Sequence, residues 1–182
     1  MTIENVLPRE FIFSVGKYLQ TCAHIEMWAC VLINCLDGAR PDDEKWFDSF
    51  CNLRKLPTNE LTRKLGSSAS KAEPFGFSED LKILCDWIRR FTDNRHIAVH
   101  GAFFGTPNGF LRVDYVRKSG PQKSPVFEPV RTPITQEIVD SVCHDAERIH
   151  AILIGMIETI EPGLTGQVIH VVLPVVEHPG KS

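Results

Sequence analysis

The chain has 182 residues, of which 43% are hydrophobic and 24% are charged, and its formal net charge is −3. This length and composition are typical of one soluble globular domain with a sizeable core, so we predict a single domain over residues 1–182. The net charge therefore does not indicate a nucleic-acid-binding protein.

The cysteines and the apolar runs predict a cytoplasmic protein. The six cysteines contain no CxxC pair and no zinc-finger spacing to histidine, so we expect reduced, mostly buried thiols. The N-terminal sequence lacks the basic region of a signal peptide, and the best apolar run, residues 149–160, is too short to cross a membrane and contains Glu158. We therefore predict no membrane association.

Apolar residues at helical spacing predict a mainly α fold. The first helix runs from Pro8 to about Leu36, and a second, capped by Asp42 or Asp43, runs to about Leu56. The remaining predicted helical segments are a short one over residues 58–66, a helix that begins at residue 78, and a last long helix from residue 135 to residue 160. Residues 67–77 are rich in Ser, Gly and Pro and are predicted to form a loop.

A small β-hairpin is predicted before the last helix. Apolar and polar residues alternate over residues 110–116, which is typical of a strand, and residues 126–130 are predicted to return as a second strand. Pro129 marks the second strand as an edge. After the last helix, the tail of residues 167–182 begins with an apolar stretch, and we expect it to pack back on the body or to pair with another chain.

The stretch with the clearest chemical content is FTDNRHIAVHG, residues 91–101, at the end of the fourth helix. Continuing the apolar face of that helix places Arg95 on its inner side, where an arginine needs an anion or an ion-pair partner. His100 follows five residues later, about 140° further round an ideal helix. Arginine holds oxyanions and histidine transfers protons near neutral pH, so this pairing favours phosphate chemistry.

The local charge around this stretch is positive. Residues 81–131 contain nine Lys or Arg and four Asp or Glu, although the whole chain is acidic. This excess fits either an anionic ligand or a solvated surface. Glu26 lies close to the apolar stripe of the first helix, where it is either solvated at the edge of the stripe or a partner for Arg95.

The run RHIAVHG resembles the Arg-polar-x-x-x-His signature of the HEPN superfamily. Arg95 matches the family arginine, His96 the polar position that is often Asn, and His100 the family histidine. Two long helices with shorter helices between them are also similar to that superfamily, so we expect a HEPN-like helical bundle. The resemblance extends in outline over residues 8–160 and in detail over about seven residues, and the hairpin is then an addition to the helical core.

The resemblance implies a metal-independent endoribonuclease that acts as a homodimer, often as a toxin or defence effector with an antitoxin or other partner protein. His100 would be the general acid or base and Arg95 would hold the phosphate, while His96 and Asn94 orient it. On the hairpin, basic residues including Arg112 and Lys118 would steer RNA. We expect cleavage through a 2′,3′-cyclic phosphate without any cofactor.

Two other interpretations stay open. The fold can be a catalytically inactive HEPN-like module that binds a partner protein or a nucleotide, with Arg95 in a structural ion pair. His96 and His100, four residues apart, share a helix face and have metal-ligand spacing, but the sequence offers no third ligand, so we predict no metal site.

Overall fold

The computed structural model describes residues 6–119 and 126–172, and within them the fold is mainly helical with one small antiparallel sheet. The described helices are α1 (Arg9–Leu36), α2 (Glu44–Arg54), α3 (Thr58–Ser67), a 3-10 helix (Ala69–Phe75), α4 (Ser78–His100), α5 (Gln136–Ile160) and α6 (Leu164–Val172). The strands are β1 (Ala102–Thr106), β2 (Gly109–Ser119) and β3 (Val126–Ile134).

Local sequence signals explain the starts of α2 and α5. Asp43 caps α2 by accepting a hydrogen bond from the Lys45 N–H at 3.0 Å, and the hydroxyl of Thr135 accepts one from the Ile138 N–H at 3.4 Å at the start of α5. The predicted long first helix and long last helix are confirmed. The predicted loop over residues 67–77 is wrong in part, because residues 69–75 form the 3-10 helix.

The predicted hairpin is part of a three-stranded sheet in the order β1-β2-β3. β2 pairs with β3 as expected, and β3 is an edge strand, which is where Pro129 can lie without breaking a ladder of hydrogen bonds. The additional strand β1 pairs Phe103 with Arg112, and the Gly105 N–H donates to the Val6 carbonyl at 3.0 Å. Residues 120–125, between β2 and β3, lie outside the described residues.

The chain divides into two compact units. The first comprises Phe91–Glu147 with the described residues up to Ala23, and the second comprises His24–Arg90 with the described residues from Arg148 onward. Phe11 and Phe110 are the centre of the core of the first unit, with ring centroids 4.0 Å apart. In the second unit, the most deeply buried side chains include Trp46, Leu65, Leu81 and Leu153.

α1 corrects the expectation that no apolar stretch reaches membrane-spanning length. By length and composition alone, this 28-residue helix is apolar enough to cross a membrane, with a mean hydropathy of 1.2 over its most apolar window. However, 61% of that window is buried within the fold, and the core helix of a globular protein passes the same test. The predicted absence of membrane association stays a prediction.

α6 changes the interpretation of the C-terminal tail. Residues 164–172 are helical, and Leu164 and Val168 are buried, so the described start of the tail is neither extended nor a strand. The rest of the apolar tail, residues 173–182, lies outside the described residues.

The cysteines are free thiols, as predicted, and burial raises the pKa of Cys30 and Cys35 to about 12.

Candidate active site

The site predicted from the sequence lies at the C-terminal end of α4, in the first unit. α4 begins with Glu79 and Asp80, whose charges favour a helix N-terminus, and it continues without interruption to His100. The Gly101 N–H donates to the Ile97 carbonyl at 2.8 Å and closes the last turn. The whole Arg-x4-His run is therefore helical, and the chain turns into β1 directly after it.

Gly101 is required at this turn by a close approach of the backbone. A Cβ atom at this position would lie 2.6 Å from the Ile97 carbonyl oxygen, which is closer than real Cβ contacts, and 3.1 Å from two ring carbons of Phe103, which is a tight contact. The glycine that ends the sequence motif thus lets β1 start immediately below the last turn of α4.

The side chains of the motif leave α4 in different directions. His96 and His100 are exposed, and their ring centroids lie 4.6 Å apart with an angle of 46° between the rings. Arg95 is half-buried, as its predicted inward position requires. Since Arg95 and His100 are separated by about 140° around the helix, they flank α4 and do not share one face.

Tyr18 of α1 packs against the base of this helix end. Its hydroxyl donates to the Phe91 carbonyl at 3.2 Å, and the two rings meet edge to face with centroids 5.0 Å apart. Burial raises the pKa of Tyr18, and the nearby charge of Arg95 acts in the opposite direction.

The remaining predicted substrate-binding residues lie in different surroundings. Asn94 is half-buried and lines an apolar cleft, and Arg112 of β2 lines the same cleft and forms an ion pair with Asp114. Lys118 lies in β2, but its side chain is outside the described part of the chain. A role of these residues in binding RNA stays a prediction.

Glu26 lies in the second unit, where its carboxylate contacts Thr58 and Arg54. It accepts a hydrogen bond from the Thr58 hydroxyl at 2.5 Å, and one of its oxygens lies 3.9 Å from a guanidinium nitrogen of Arg54. The carboxylate beside the apolar stripe of α1 is therefore hydrogen-bonded. The pairing of Glu26 with Arg95 stays a prediction.

The sequence did not predict the cleft beside the motif or the Arg112–Asp114 ion pair. The alternation in β2 places residues 112 and 114 on one face, so an ion pair along the strand was readable from the sequence. The cleft was not, because it is formed by α1, α4, α5 and all three strands together. Among the described residues, no three His, Cys, Asp or Glu side chains are close enough to hold a metal ion.

Comparison of the chain with models of protein families, with curated proteins and with solved structures gives no match in any of the three.

Proposed function

We propose that this protein is a metal-independent endoribonuclease that acts as a homodimer. In this reaction the 2′-hydroxyl of RNA attacks the adjacent phosphodiester, the bond to the 5′ oxygen breaks, and the products are a 2′,3′-cyclic phosphate and a 5′-hydroxyl. His100 exchanges the proton, and Arg95 stabilises the negative charge that builds up on the phosphate oxygens.

The exposed His96–His100 pair at the end of α4 is the observation that carries this proposal. Both imidazoles are exposed to solvent, and a half-buried arginine lies on the same helix end. Their exposure leaves both rings accessible to a ligand.

The homodimer follows from the chemistry of the reaction. Cleavage needs one group to remove the proton of the 2′-hydroxyl and another to protonate the leaving oxygen, and one imidazole does not readily do both in a single step. A second copy of the chain supplies a second His100. Exposed apolar side chains of the first unit, Phe13 at 72% and Val99 at 53%, offer contacts for that second copy.

The test is incubation of the purified chain with a mixed RNA panel in excess EDTA. We expect cleavage that persists with the chelator and leaves cyclic-phosphate ends, and we expect His100→Ala and Arg95→Ala to abolish it. His144→Ala, which alters an exposed histidine of α5, is the matched control and should retain full activity. Absence of cleavage at high protein concentration across the panel would refute the proposal.

A second candidate is a catalytically inactive module that binds a partner protein. The exposed Phe13 and Val99 favour it as much as they favour a homodimer. The RNA assay distinguishes the two candidates, because an inactive module leaves RNA intact. For such a module, we expect the substitution Phe13→Ser to weaken binding of the partner protein.

A further inference from the structure

The three-stranded sheet of the first unit has two different faces. One face carries Phe103, Phe110 and Ile134, which belong to the hydrophobic cluster of this unit or pack against it. Because successive side chains of a strand point to opposite faces, the sequence neighbours of these residues lie on the other face, which we call the outer face. By strand register, its described members include Ala102, Phe104, Leu111, Val113 and Arg131.

The outer face is more apolar than a solvent-facing sheet surface normally is. An antiparallel sheet with one buried face usually alternates apolar residues inward with polar residues outward. Here Phe104 is 46% exposed, and Leu111, its direct partner across the strands, is half-buried together with Val113. An exposed aromatic ring between aliphatic side chains is unfavourable in water, so a flat ligand that covers the ring gains affinity.

The charge of the outer face is positive. Arg131 is exposed, and it is the only charged residue among the outer-face side chains that the structure describes. The acidic residues of the strands, Asp114 and Glu128, lie on the opposite face by the same register. Arg131 and Ala102 are separated by two strand spacings, roughly 10 Å. The outer face thus presents an aromatic ring and a cation side by side.

The outer face is continuous with the proposed catalytic helix end. The close turn at Gly101 lets β1 start directly after His100, and Phe104 is the fourth residue after that histidine. Four residues span at most about 14 Å even when fully extended. A strand of RNA with a phosphate at His100 therefore passes close to the ring of Phe104.

A single strand of RNA fits the outer face better than a protein does. A stable protein interface takes about 20–30 residues on each side, whereas one face of these three strands presents about a dozen. The ring and the guanidinium match a base and a phosphate of one strand, because unpaired bases stack on aromatic side chains. The bases of a duplex are stacked on one another and do not offer a face to the ring.

We propose that the outer face of the sheet binds single-stranded RNA, with one base stacked on Phe104 and one phosphate held by Arg131. This inference rests on the proposed ribonuclease function and names its substrate class, which is unpaired RNA and not a duplex. Phe104 and Arg131 bind the strand and take no part in the transfer of the proton.

The first test measures binding and not cleavage, so that the two proposals fail separately. The probe is a fluorescent 2′-O-methyl oligonucleotide, which lacks the attacking hydroxyl and stays intact on the original chain. We expect the single strand to bind about tenfold more tightly than the same oligonucleotide annealed to its complement, since only the single strand stacks on the ring. Equal affinity for the two forms, or no binding of the single strand, would overturn the inference. Cleavage of RNA by a chain that fails this test would leave the ribonuclease standing and remove only the outer face.

Substitutions at Phe104 test the stacking contact. Phe104→Ala should weaken binding of the single strand about tenfold, whereas Phe104→Trp keeps an aromatic face and should stay within about threefold of the original chain. Phe47→Ala is the matched control, because Phe47 is a 50% exposed phenylalanine of α2 in the second unit. Unchanged binding in Phe104→Ala, or an equal loss in Phe47→Ala, would refute the stacking site.

Arg131→Gln tests the phosphate contact through its dependence on salt. Loss of one cation from the path of a single strand should reduce the slope of log affinity against log salt concentration by about 0.7. Arg63→Gln, which alters an exposed arginine of α3 in the second unit, should leave the slope unchanged. An unchanged slope in Arg131→Gln would contradict the phosphate contact. If Phe104→Ala changed the sedimentation of the chain but not its affinity for RNA, the outer face would be a contact between two copies and the inference would be wrong.

Discussion

His96 and His100 stand one turn apart on the same exposed face of α4, with ring centroids separated by 4.6 Å. Either ring is therefore positioned to meet the same phosphate. In the proposed reaction only His100 exchanges the proton in this chain, and the second imidazole comes from the other copy, while His96 orients the phosphate.

This assignment predicts unequal effects of the two histidines. We expect His100→Ala to lower the single-turnover rate of RNA cleavage by roughly 10²- to 10⁴-fold, the usual value of general acid–base catalysis. His96→Gln keeps a hydrogen-bonding side chain and should lower the rate by less than about tenfold. An equal loss in both variants would instead make His96 and His100 of one chain the acid and base, and a second copy would then be unnecessary.

The contact of Tyr18 with Phe91 predicts a defined loss of stability. Tyr18→Phe keeps the buried ring but removes the hydrogen bond to the Phe91 carbonyl, which should lower the free energy of unfolding by about 0.5–1.5 kcal/mol. Urea denaturation at pH 7 measures this difference. A variant as stable as the original chain would mean that water satisfies the carbonyl equally well.

The same phenol predicts a dependence on alkaline pH. Burial raises the pKa of Tyr18 above its usual value of 10, so the stabilisation it provides is complete below pH 10 and is lost as the pH rises further. We expect the ultraviolet signal of tyrosinate from Tyr18 to appear only when the chain unfolds. Subtracting the titration of Tyr18→Phe from that of the original chain isolates this signal.

The sequence predicted the parts of the fold that depend on local periodicity. The end of α4 directly before Gly101 follows from the apolar spacing along one helix, so it was predictable. β1 was missed because its five residues are too few to show an alternation, and it forms by pairing with β2.

The cleft was unpredictable for a related reason. Its walls come from α1, α4, α5 and the strands, so no single stretch of sequence contains the pattern. The Nε atom of Arg112 is buried and has no hydrogen-bond partner among the described residues, and which atoms of a guanidinium the neighbouring side chains reach is decided by tertiary packing alone. Residue type and spacing identified a chemically distinctive helix end but gave no sign of the cleft on its inner side.

The close contact of Gly101 predicts that this glycine does not tolerate a side chain. Gly101→Ala places a methyl group 2.6 Å from the Ile97 carbonyl, so the end of α4 or β1 must move, at a cost of about 1–3 kcal/mol. Gly16→Ala in α1 is the control, because its Cβ meets nothing within 4 Å and an alanine should stabilise the helix by about 0.5–1 kcal/mol. If both variants were destabilised, the first unit would be intolerant of glycine substitution in general, and the close contact at Gly101 would not be the cause.

His150 predicts an acid-dependent loss of stability in the second unit. Burial, and to a smaller extent the charge of His24, lowers the pKa of His150, whose ring lies 5.8 Å from that of His24. The unfolded chain then takes up a proton near pH 6.5 before the folded chain does, so stability is complete above pH 6.5 and falls as the pH decreases below it. We expect His150→Gln to reduce this slope in urea denaturation between pH 8 and 5. His144→Gln, on the same helix, corrects for the general effect of removing a histidine.

We expect a second acid-sensitive contact at the start of α6, where the carboxylate of Glu158 accepts hydrogen bonds. One carboxylate oxygen accepts from the Gly163 N–H at 2.6 Å, and the other accepts from the Thr165 N–H at 3.0 Å and from the Thr165 hydroxyl. These hydrogen bonds lower the pKa of Glu158 below its usual value of 4.5, and the bond from the Thr165 hydroxyl has the largest effect. The carboxylate therefore stabilises α6 above pH 4.5, and its contribution is lost as the pH falls through the lowered pKa.

Substitutions of Glu158 should therefore act in a graded way. Glu158→Gln retains one acceptor oxygen and should lower the melting temperature less than Glu158→Ala, which removes all three bonds. Both variants should also lose part of the acid dependence of the original chain below pH 4.5, because the group that titrates is gone. Asp145→Asn, an exposed carboxylate on the same helix, serves as the control for a change of one charge. If Glu158→Ala melted at the same temperature as Asp145→Asn, the start of α6 would be held by burial of Leu164 and Val168 and not by this carboxylate.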